Sequence, residues 1–227
     1  MQVDLHGPAG RLEALLEEGH GPTFAALVCH PHPRYGGTMH NHATYRLAKA
    51  VRARGGAALR FNYRGVGRSA GGYDAGRGEA DDARTALAWL ARERPGLPRL
   101  ACGFSFGAWM AVTAGDEDPG VHAMVVAGLA LRSPDLELVR DVDRIRKVRK
   151  ALALVQAELD EYGSPDEIRT VLAGSAGPRR IAVVHGARHL FGEDLAGLQR
   201  EAEAAIAWAL EPRAAGLHDT AGGGGRA

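Results

Sequence analysis

Short apolar runs recur along the chain, and most are followed by a segment whose apolar residues repeat every three to four positions. A continuous apolar run is typical of a strand buried on both faces, and the longer repeat is typical of an amphipathic helix. Residues 2–17 instead alternate apolar and polar positions on both sides of 6–10, which predicts a hairpin of two edge strands. The further predicted strands are 24–30, 57–63, 100–103, 123–129, 151–157 and 179–184.

Helical periodicity occupies most of the chain between these strands. Residues 140–150 carry Ile145 and Val148 between charged residues, which predicts a helix with one solvated face rather than a nucleic-acid surface. Glycine is frequent in 65–78, which predicts a loop. The other predicted helices are 41–54, 79–94, 106–114, 164–173 and 194–210.

Strands that alternate with helices predict an α/β fold, in which about eight strands form a mostly parallel central sheet with helices on both faces. A single domain is expected over 1–210, and the segment 130–150 is too short to form a large cap domain. Residues 211–227 contain four consecutive glycines and no apolar repeat, which predicts a disordered tail. In such a fold, active groups lie beyond the carboxyl ends of the strands.

Composition narrows the class of protein. The 227 residues are 45% apolar and 24% charged with a formal net charge of +1, so neither nucleic acid nor a membrane is an expected partner. We find neither a signal-peptide pattern nor an apolar stretch approaching the ~18 residues of a membrane span. Cys29 and Cys102 lie in apolar runs, which predicts reduced core thiols and a cytoplasmic location. Monomer and homodimer both remain open.

The pentapeptide Gly103-Phe104-Ser105-Phe106-Gly107 is the first candidate for chemistry. Gly-x-Ser-x-Gly is the pattern of a nucleophile elbow, a strained turn between a strand and a helix that presents a serine hydroxyl. The flanking glycines tolerate the close approach of neighbouring backbone. Because the chain is rich in glycine, the pentapeptide alone is a weak signal, but a strand and a helix are predicted on its two sides.

A nucleophilic serine needs a histidine base, which in this fold follows both the serine and the acid along the chain. Four histidines follow Ser105. His122 precedes a strand and His218 lies in the tail, which leaves His185 and His189 after the last predicted strand. His185 directly abuts that strand and is expected to pack beside it. His189 lies on a loop that can approach the serine, so it is the expected base.

The orienting acid is expected after a strand that lies between the serine and the histidine. Asp160 follows the predicted strand 151–157 and is the first candidate, with Glu158 and Glu161 expected to be solvated. Asp135, after the preceding strand, is the reserve, because some members of this fold draw the acid from that position.

Asp160 would not serve the site if it instead capped the following helix. Ser164 is the better cap, since Pro165 suits the first helical position and Glu167 completes a capping box. The pattern therefore leaves Asp160 free for the site.

The loop after the strand 24–30 is expected to complete an oxyanion hole, together with the backbone N–H of Phe106. Pro31 and Pro33 have no N–H, so His32 is the donor nearest the strand end. Without a large lid, the site is expected to be open. The expected substrate-binding residues are Tyr35, Gly36, Gly37, Met39, Phe104, Trp109 and Phe191.

Several segments together resemble a known family. The runs CHPHPRYGGTMHN, LRFNYRGVGRSAGGYDAGRGEADD, GFSFGAWMA, QAELDEYGSPDEI and GARHLF are similar to those of small, lidless α/β-hydrolases related to dienelactone hydrolase, over about residues 24–210. The resemblance implies Ser105 as nucleophile, Asp160 as acid and His189 as base. Dienelactone hydrolases themselves use a cysteine nucleophile where this chain has serine, which predicts a different substrate.

Two other patterns in the sequence point to different chemistry. His30, His32, His40 and His42 are close in sequence, but His40 and His42 fall on opposite sides of a helix start, so no metal is expected. Residues 65–70 match a dinucleotide-binding fingerprint, yet no apolar helix start follows and the position is not after the first strand of a domain, so no cofactor is expected.

The expected function is that of a serine hydrolase acting on carboxylic esters or related small acyl substrates through an acyl-enzyme. Thioesters and small peptides are alternative substrates for the same three residues. A non-catalytic binding or scaffold protein of the same fold is the alternative of a different class.

Overall fold

The computed structural model describes residues 1–132 and 141–211, so the reserve acid Asp135 and the tail after 211 lie outside the described residues. One eight-stranded sheet forms the centre of the described part, in the order β1-β2-β4-β3-β5-β6-β7-β8. The strands are β1 Gln2–Gly7, β2 Gly10–Glu17, β3 Phe24–Cys29, β4 Gly56–Phe61, β5 Arg99–Phe104, β6 Val121–Ala127, β7 Ala151–Ala157 and β8 Arg179–Val184.

Six α-helices lie between or after these strands in the described residues. The segment 140–150 contains the short helix α4, whose Ile145 is buried while its charged residues face outward, as the apolar spacing predicts. The helices are α1 His42–Ala53, α2 Arg77–Glu93, α3 Phe106–Glu117, α4 Val142–Lys147, α5 Pro165–Leu172 and α6 Leu195–Ala209.

The two ends of the sheet are built differently. From β4 onward along the sheet, neighbouring strands are parallel, as the apolar runs predict. The hairpin β1–β2 is antiparallel, and β2 also pairs antiparallel with β4. The prediction of two edge strands was therefore wrong for β2. This strand pairs with β1 on one side and with β4 on the other, so it is an inner strand.

Helices cover both faces of the sheet. On one face, α2 and α3 pack with α4 and α5 over the sheet, around residues such as Trp109 and Leu154. On the other face, α1 packs beside α6 over residues such as Val28 and Phe104. The sheet is thus buried on both faces, which explains why its central strands are continuously apolar.

Cys29 and Cys102 are both buried, free thiols. They lie on adjacent strands, but Cys29 faces the α2–α3 layer and Cys102 faces the α1–α6 layer. The sheet separates the two sulfur atoms, so they cannot form a disulfide with each other. Reduced core thiols were the sequence prediction.

No helix of the described residues is both long and apolar enough to cross a membrane. No cap domain is formed over the sheet by the described residues, and between β6 and β7 they add only the short helix α4.

Candidate active site

Ser105 stands at the turn from β5 into α3, with φ +56° and ψ −117°. Such a positive φ is strained for a residue with a side chain and is a frequent mark of functional turns. The flanking glycines permit it. A Cβ at Gly103 would overlap the Gly107 carbonyl, and a Cβ at Gly107 would lie 2.5 Å from the carbonyl oxygens of Cys29 and His30.

His189 lies on the loop after β8 and reaches back to Ser105, 84 residues earlier, with its Nε2 2.8 Å from the serine Oγ. Its ring lies between those of Phe104 and Tyr162, whose centroids are 5.3 Å and 4.7 Å away. The imidazole is almost fully buried, with 4% of the residue exposed. The packing therefore restricts the ring to the orientation that faces the hydroxyl.

Asp160 follows β7 and is the partner of the other imidazole nitrogen. His189 Nδ1 lies 2.9 Å from Asp160 Oδ2 and 3.0 Å from Oδ1. Because a carboxylate only accepts, Nδ1 carries the proton, and the neutral ring then has Nε2 available to accept the serine proton. The Tyr162 N–H also donates to Asp160 Oδ1, at 2.9 Å.

The other histidine of this region has a different environment. The His185 side chain is 82% exposed and lies 3.1 Å from the Glu158 carboxylate. The sequence predicts that His185 packs beside the strand, but its side chain instead extends into solvent beyond the end of β8. The Gly186 N–H and His185 lower the pKa of Glu158, which is an exposed surface carboxylate.

Ser164 caps α5, as its sequence pattern predicts. The Glu167 N–H donates to Ser164 Oγ at 3.3 Å, and the Ser164 N–H donates to the Glu167 carboxylate at 2.8 Å. The Arg132 guanidinium, together with the Ser164 N–H and the Ser164 Oγ–H that donates to Glu167 Oε2 at 2.9 Å, lowers the pKa of Glu167 to about 2. The capping box occupies Ser164 and Glu167, so the Asp160 side chain is available to His189.

The loop after β3 is held from within the fold. His30 donates from Nδ1 to the Pro31 carbonyl at 2.7 Å and accepts the Tyr63 N–H at Nε2, at 3.2 Å. Burial lowers the pKa of His30 to about 3, so this imidazole is neutral. The following residues form a single 3-10 turn, Pro33–Tyr35, that ends at Gly36 with φ +75°.

His32 begins that turn and lies beside the site. Its Nδ1 accepts the Arg34 N–H at 3.2 Å, and its Nε2 lies 3.1 Å from the Tyr73 hydroxyl. The His32 and Phe106 rings are in edge contact, with centroids 4.8 Å apart. The two residues expected to donate to an oxyanion therefore line the cavity that contains Ser105.

A cavity of about 410 Å³ opens above Ser105. Tyr35, Gly37 and Phe104 from the expected binding set line it. Asn41, Glu161, Tyr162 and Leu190 also line it and are not among the expected binding residues. The full lining among the described residues is Pro31, His32, Tyr35, Gly37, Asn41, Phe104, Ser105, Phe106, Ala130, Glu161, Tyr162, His189 and Leu190.

Four residues expected to bind substrate lie off this cavity. Met39, Trp109 and Phe191 are buried in the core. Trp109 packs from α3 on one face of the sheet and Phe191 packs from the loop after β8 on the other, while Met39 lies in the turn before α1. Trp109 uses its Nε1–H to bind the Ala130 carbonyl, and Phe191 packs edge-on against Phe104. Gly36 is exposed at the end of the 3-10 turn. These four expected residues therefore do not line the described cavity.

Some of the cavity residues outside the expected set could have been identified from the sequence, and one could not. Glu161 and Tyr162 immediately follow Asp160, and Leu190 follows His189, so adjacency to the candidate acid and base indicates them. Asn41 carries no such signal, because its visible pattern is that of the helix cap it forms on α1. Within residues 1–132 and 141–211, no group of three or more His, Cys, Asp or Glu side chains could hold a metal.

An eight-stranded, mostly parallel sheet with helices on both faces and a serine at the elbow after its fifth strand defines the α/β-hydrolase fold. The protein is a hydrolase. It belongs to the family described as serine aminopeptidase, S33, whose model matches residues 25–159. The sequence alternative of a non-catalytic scaffold has no support from this assignment.

Similar proteins agree with this class. The uncharacterized protein RP471 of Rickettsia prowazekii is 32% identical over 199 residues, which cover 84% of this chain and 82% of that protein. An α/β serine hydrolase homologue from Coxiella burnetii is 28% identical with a TM-score of 0.80, over 90% of this chain and 96% of its own.

A lidless α/β serine hydrolase from Xanthomonas campestris is 26% identical with a TM-score of 0.78, over 92% of this chain and 94% of its own. These similarities support the lidless α/β-hydrolase part of the expected resemblance. They do not confirm the expected relation to dienelactone hydrolase.

Proposed function

We propose that this protein hydrolyses small carboxylic esters through a catalytic triad of Ser105, His189 and Asp160. The observation that carries the proposal is one continuous hydrogen-bonded chain, from Ser105 Oγ to His189 Nε2 at 2.8 Å and from His189 Nδ1 to Asp160 Oδ2 at 2.9 Å. A nucleophile, a base and an orienting acid in this order are the groups that acyl transfer requires.

In the proposed acylation step, Ser105 Oγ attacks the substrate carbonyl carbon while its proton moves to His189 Nε2. Asp160 stabilises the resulting imidazolium through Nδ1–H. Collapse of the tetrahedral intermediate breaks the bond to the alkoxide, which takes the proton from His189 and leaves as the alcohol. Water then attacks the acyl-enzyme and gives one proton to His189. His189 passes this proton to Ser105 Oγ as the bond between Oγ and the acyl carbon breaks, which releases the carboxylic acid and restores Ser105.

The tetrahedral oxyanion would accept hydrogen bonds from the backbone N–H groups of Phe106 and His32. Both residues line the cavity beside Ser105. The loop that carries His32 is held by the buried His30 and by the 3-10 turn, which favours preorganised donors. Loss of one such donor typically reduces turnover by about 10²- to 10³-fold.

The cavity favours a compact, uncharged acyl group. Aromatic side chains from Tyr35, Phe104, Phe106 and Tyr162 form much of its lining, and its volume is about 410 Å³. Short and medium acyl esters fit this description, as do their thioesters. The two buried, reduced thiols suit the proposed cytoplasmic location.

Hydrolysis of short peptides or aminoacyl amides is a second candidate function, and Glu161 is the observation that favours it. Among the described residues that line the cavity, Glu161 is the only carboxylate, and no lysine or arginine accompanies it. A carboxylate beside aromatic rings favours a substrate ammonium group. Comparing p-nitroanilides of free and N-acetylated alanine would separate the candidates, because only the free amine can pair with Glu161.

A fluorophosphonate probe tests the main proposal directly. The native protein is expected to label at Ser105 and to hydrolyse p-nitrophenyl butyrate, and Ser105→Ala is expected to lose both properties. Ser175→Ala is the matched control, since Ser175 follows α5 outside the cavity lining and its hydroxyl donates to the Leu172 carbonyl. Folded native protein that neither labels nor hydrolyses any short ester would overturn the proposal.

A further inference from the structure

Gln156 is a polar residue inside an otherwise apolar strand. All seven residues of β7, Ala151–Ala157, are buried, and Gln156 has no measurable exposure. A buried amide without partners costs about 1–3 kcal/mol, whereas an aliphatic side chain at this position would need none. A glutamine at this position is therefore tolerated only where neighbouring groups satisfy its amide.

The Gln156 amide is fully used. Its Nε2 donates to Asp160 Oδ2 at 2.8 Å and to the Gly163 carbonyl at 2.6 Å, while its Oε1 accepts the Leu129 N–H at 3.0 Å. The orientation of the amide follows from these partners, because a carboxylate and a carbonyl can only accept and a backbone N–H can only donate. If the amide were flipped, its oxygen would face the Asp160 and Gly163 oxygens, and its NH₂ group would face the Leu129 N–H.

Through Nε2, Gln156 reaches the candidate acid at the oxygen that also faces the base. The Asp160 side chain is fully buried, and the same Oδ2 that accepts from Gln156 also faces His189 Nδ1. The second bond of Nε2, to Gly163, closes the loop that carries Asp160 back onto β7. The carboxylate is consequently held in position by a donor from a central strand.

Through Oε1, Gln156 reaches the segment after β6. Leu129 follows Gly128, whose φ is +53° and whose Cβ, if present, would lie 2.8 Å from Phe104 and 3.4 Å from His189. The end of β6 also accepts the Ser105 N–H, at the Ala127 carbonyl, 3.0 Å away. The segments that support the nucleophile, the base and the acid therefore meet at one side chain.

We propose that Gln156 is a positioning residue whose amide fixes the Asp160 carboxylate, and through it the His189 imidazole, relative to Ser105. This inference rests on the proposed function, because it assigns Gln156 a role in that triad. Gln156 does not line the cavity, so it acts on the reaction only through Asp160 and the loops it joins. The Gln156 amide also withdraws part of the negative charge that the carboxylate offers to His189, because its N–H and the imidazole N–H both donate to Oδ2.

Gln156→Met tests the proposal, because methionine keeps the length of the side chain and removes its donors and acceptor. We expect kcat for p-nitrophenyl butyrate to fall by roughly 10- to 100-fold, with KM close to the wild-type value, since misplacing a catalytic group has this effect. The acid limb of kcat/KM is expected to move to higher pH by about half a unit or more, because the unshared carboxylate holds the imidazolium more strongly.

Gln156→Glu is the second variant. It preserves the shape of the side chain, but its carboxyl, once ionised, places a second negative charge beside Asp160 where the wild type has an amide donor, so the acid limb is expected to move further in the same direction. The described titratable groups that face His189 are Asp160, Tyr162 and Glu161, all from the loop after β7, and neither variant changes them.

Gln199→Met is the matched control. It makes the same chemical change on α6, where Gln199 binds Arg46 and Glu203 outside the site. We expect it to leave kcat and the acid limb at their wild-type values. Thermal unfolding of all three variants, together with the wild type, reports any general loss of stability.

An NMR titration of the His189 ring protons, identified by their loss in His189→Ala, measures the same pH displacement without turnover. It separates the two proposals. A wild-type protein that neither labels nor turns over refutes the triad function, whereas the titration still tests the link from Gln156 to His189. Wild-type kcat in Gln156→Met, or lost stability without a displaced titration in both Gln156 variants, would refute the role of Gln156.

Discussion

His185 and His189 lie four positions apart after the same strand, yet the fold gives them opposite environments. His189 is buried between two aromatic rings and bonds to both Ser105 and Asp160. His185 extends into solvent beside Glu158. Burial and two directed hydrogen bonds are what allow an imidazole to exchange a proton with a specific hydroxyl, so the structure favours His189 as the base.

The two histidines give a direct residue-level prediction. His189→Ala is expected to lower kcat/KM for a short ester by about 10⁴-fold or more, as removal of a triad histidine does. His185→Ala is expected to retain most of the activity, because its partner is a surface carboxylate. Steady-state kinetics of both variants check this, and comparable losses in the two would contradict the assignment of the base.

At the scale of secondary-structure elements, the elbow depends on close contact between β3, β5 and the start of α3. Gly107 lies against the carbonyl groups of Cys29 and His30, at the end of the strand that leads into the His32 loop. The elbow and the candidate oxyanion loop are therefore packed backbone against backbone, and neither can move without the other.

Gly107→Ala is expected to destabilise the protein by about 1–3 kcal/mol, because its Cβ would force backbone groups apart. We also expect kcat to fall, since the displaced groups carry Ser105 and His32. Urea unfolding and ester kinetics measure the two effects. Gly19→Ala is the control, because no atom lies within 4 Å of the added Cβ. Unchanged stability in Gly107→Ala would contradict the close packing of α3 against the end of β3.

The cap of α5 gives a second prediction at this scale. Ser164→Ala removes the side-chain acceptor of the capping box and is expected to cost about 1 kcal/mol at pH 7, as loss of such caps does. Activity should stay close to wild type, because Asp160 is held by other groups. Urea unfolding and ester kinetics at pH 7 measure these two effects.

The same variant carries a pH dependence. The folded-state pKa of Glu167 is lowered to about 2 by the Arg132 guanidinium and by the N–H and Oγ–H of Ser164, and Ser164→Ala removes only the Oγ–H donor. The stability that this bond adds is present above the ordinary value of 4.5 and is lost as the pH falls toward 2. The difference in unfolding free energy between wild type and Ser164→Ala should therefore shrink below about pH 4.5. A constant difference down to pH 3 would contradict this linkage.

For the molecule as a whole, one buried imidazole couples stability to acid. His30 is neutral because burial lowers its pKa to about 3, while the unfolded chain binds a proton near the ordinary value of 6.5. Between pH 6.5 and pH 3, His30 is therefore protonated in the unfolded state but neutral in the folded state. Stability should consequently fall as the pH decreases from about 6.5 toward 3.

His30→Gln tests this coupling, because an amide can replace both hydrogen bonds of His30 without titrating. We expect the variant to be less stable at pH 7, but its unfolding free energy should decline less steeply on acidification, by up to ~1.4 kcal/mol per pH unit. Urea unfolding at pH 7, 6 and 5 measures both slopes. Parallel slopes would show that another group governs the acid response.

Most of the fold could be predicted from local pattern. Continuous apolar runs identified the parallel strands, and the capping box located the start of α5. The prediction was wrong for β2, because strand alternation does not show which strand will become its second neighbour. The sequence pattern also could not show that Met39, Trp109 and Phe191 are buried in the core, since an aromatic or apolar side chain near a site has the same sequence pattern whether it faces the cavity or the core.

The sequence by itself determined the order of the elements and the candidate chemical groups at the ends of β5, β7 and β8, because strand periodicity and turn chemistry are local properties. Only the tertiary structure decided which groups meet. Ser105 and His189 are 84 residues apart, and their contact depends on neighbouring parallel strands ending at one edge of the sheet. The same is true of Gln156, whose partners lie on separate segments and whose buried amide is satisfied only where those segments converge.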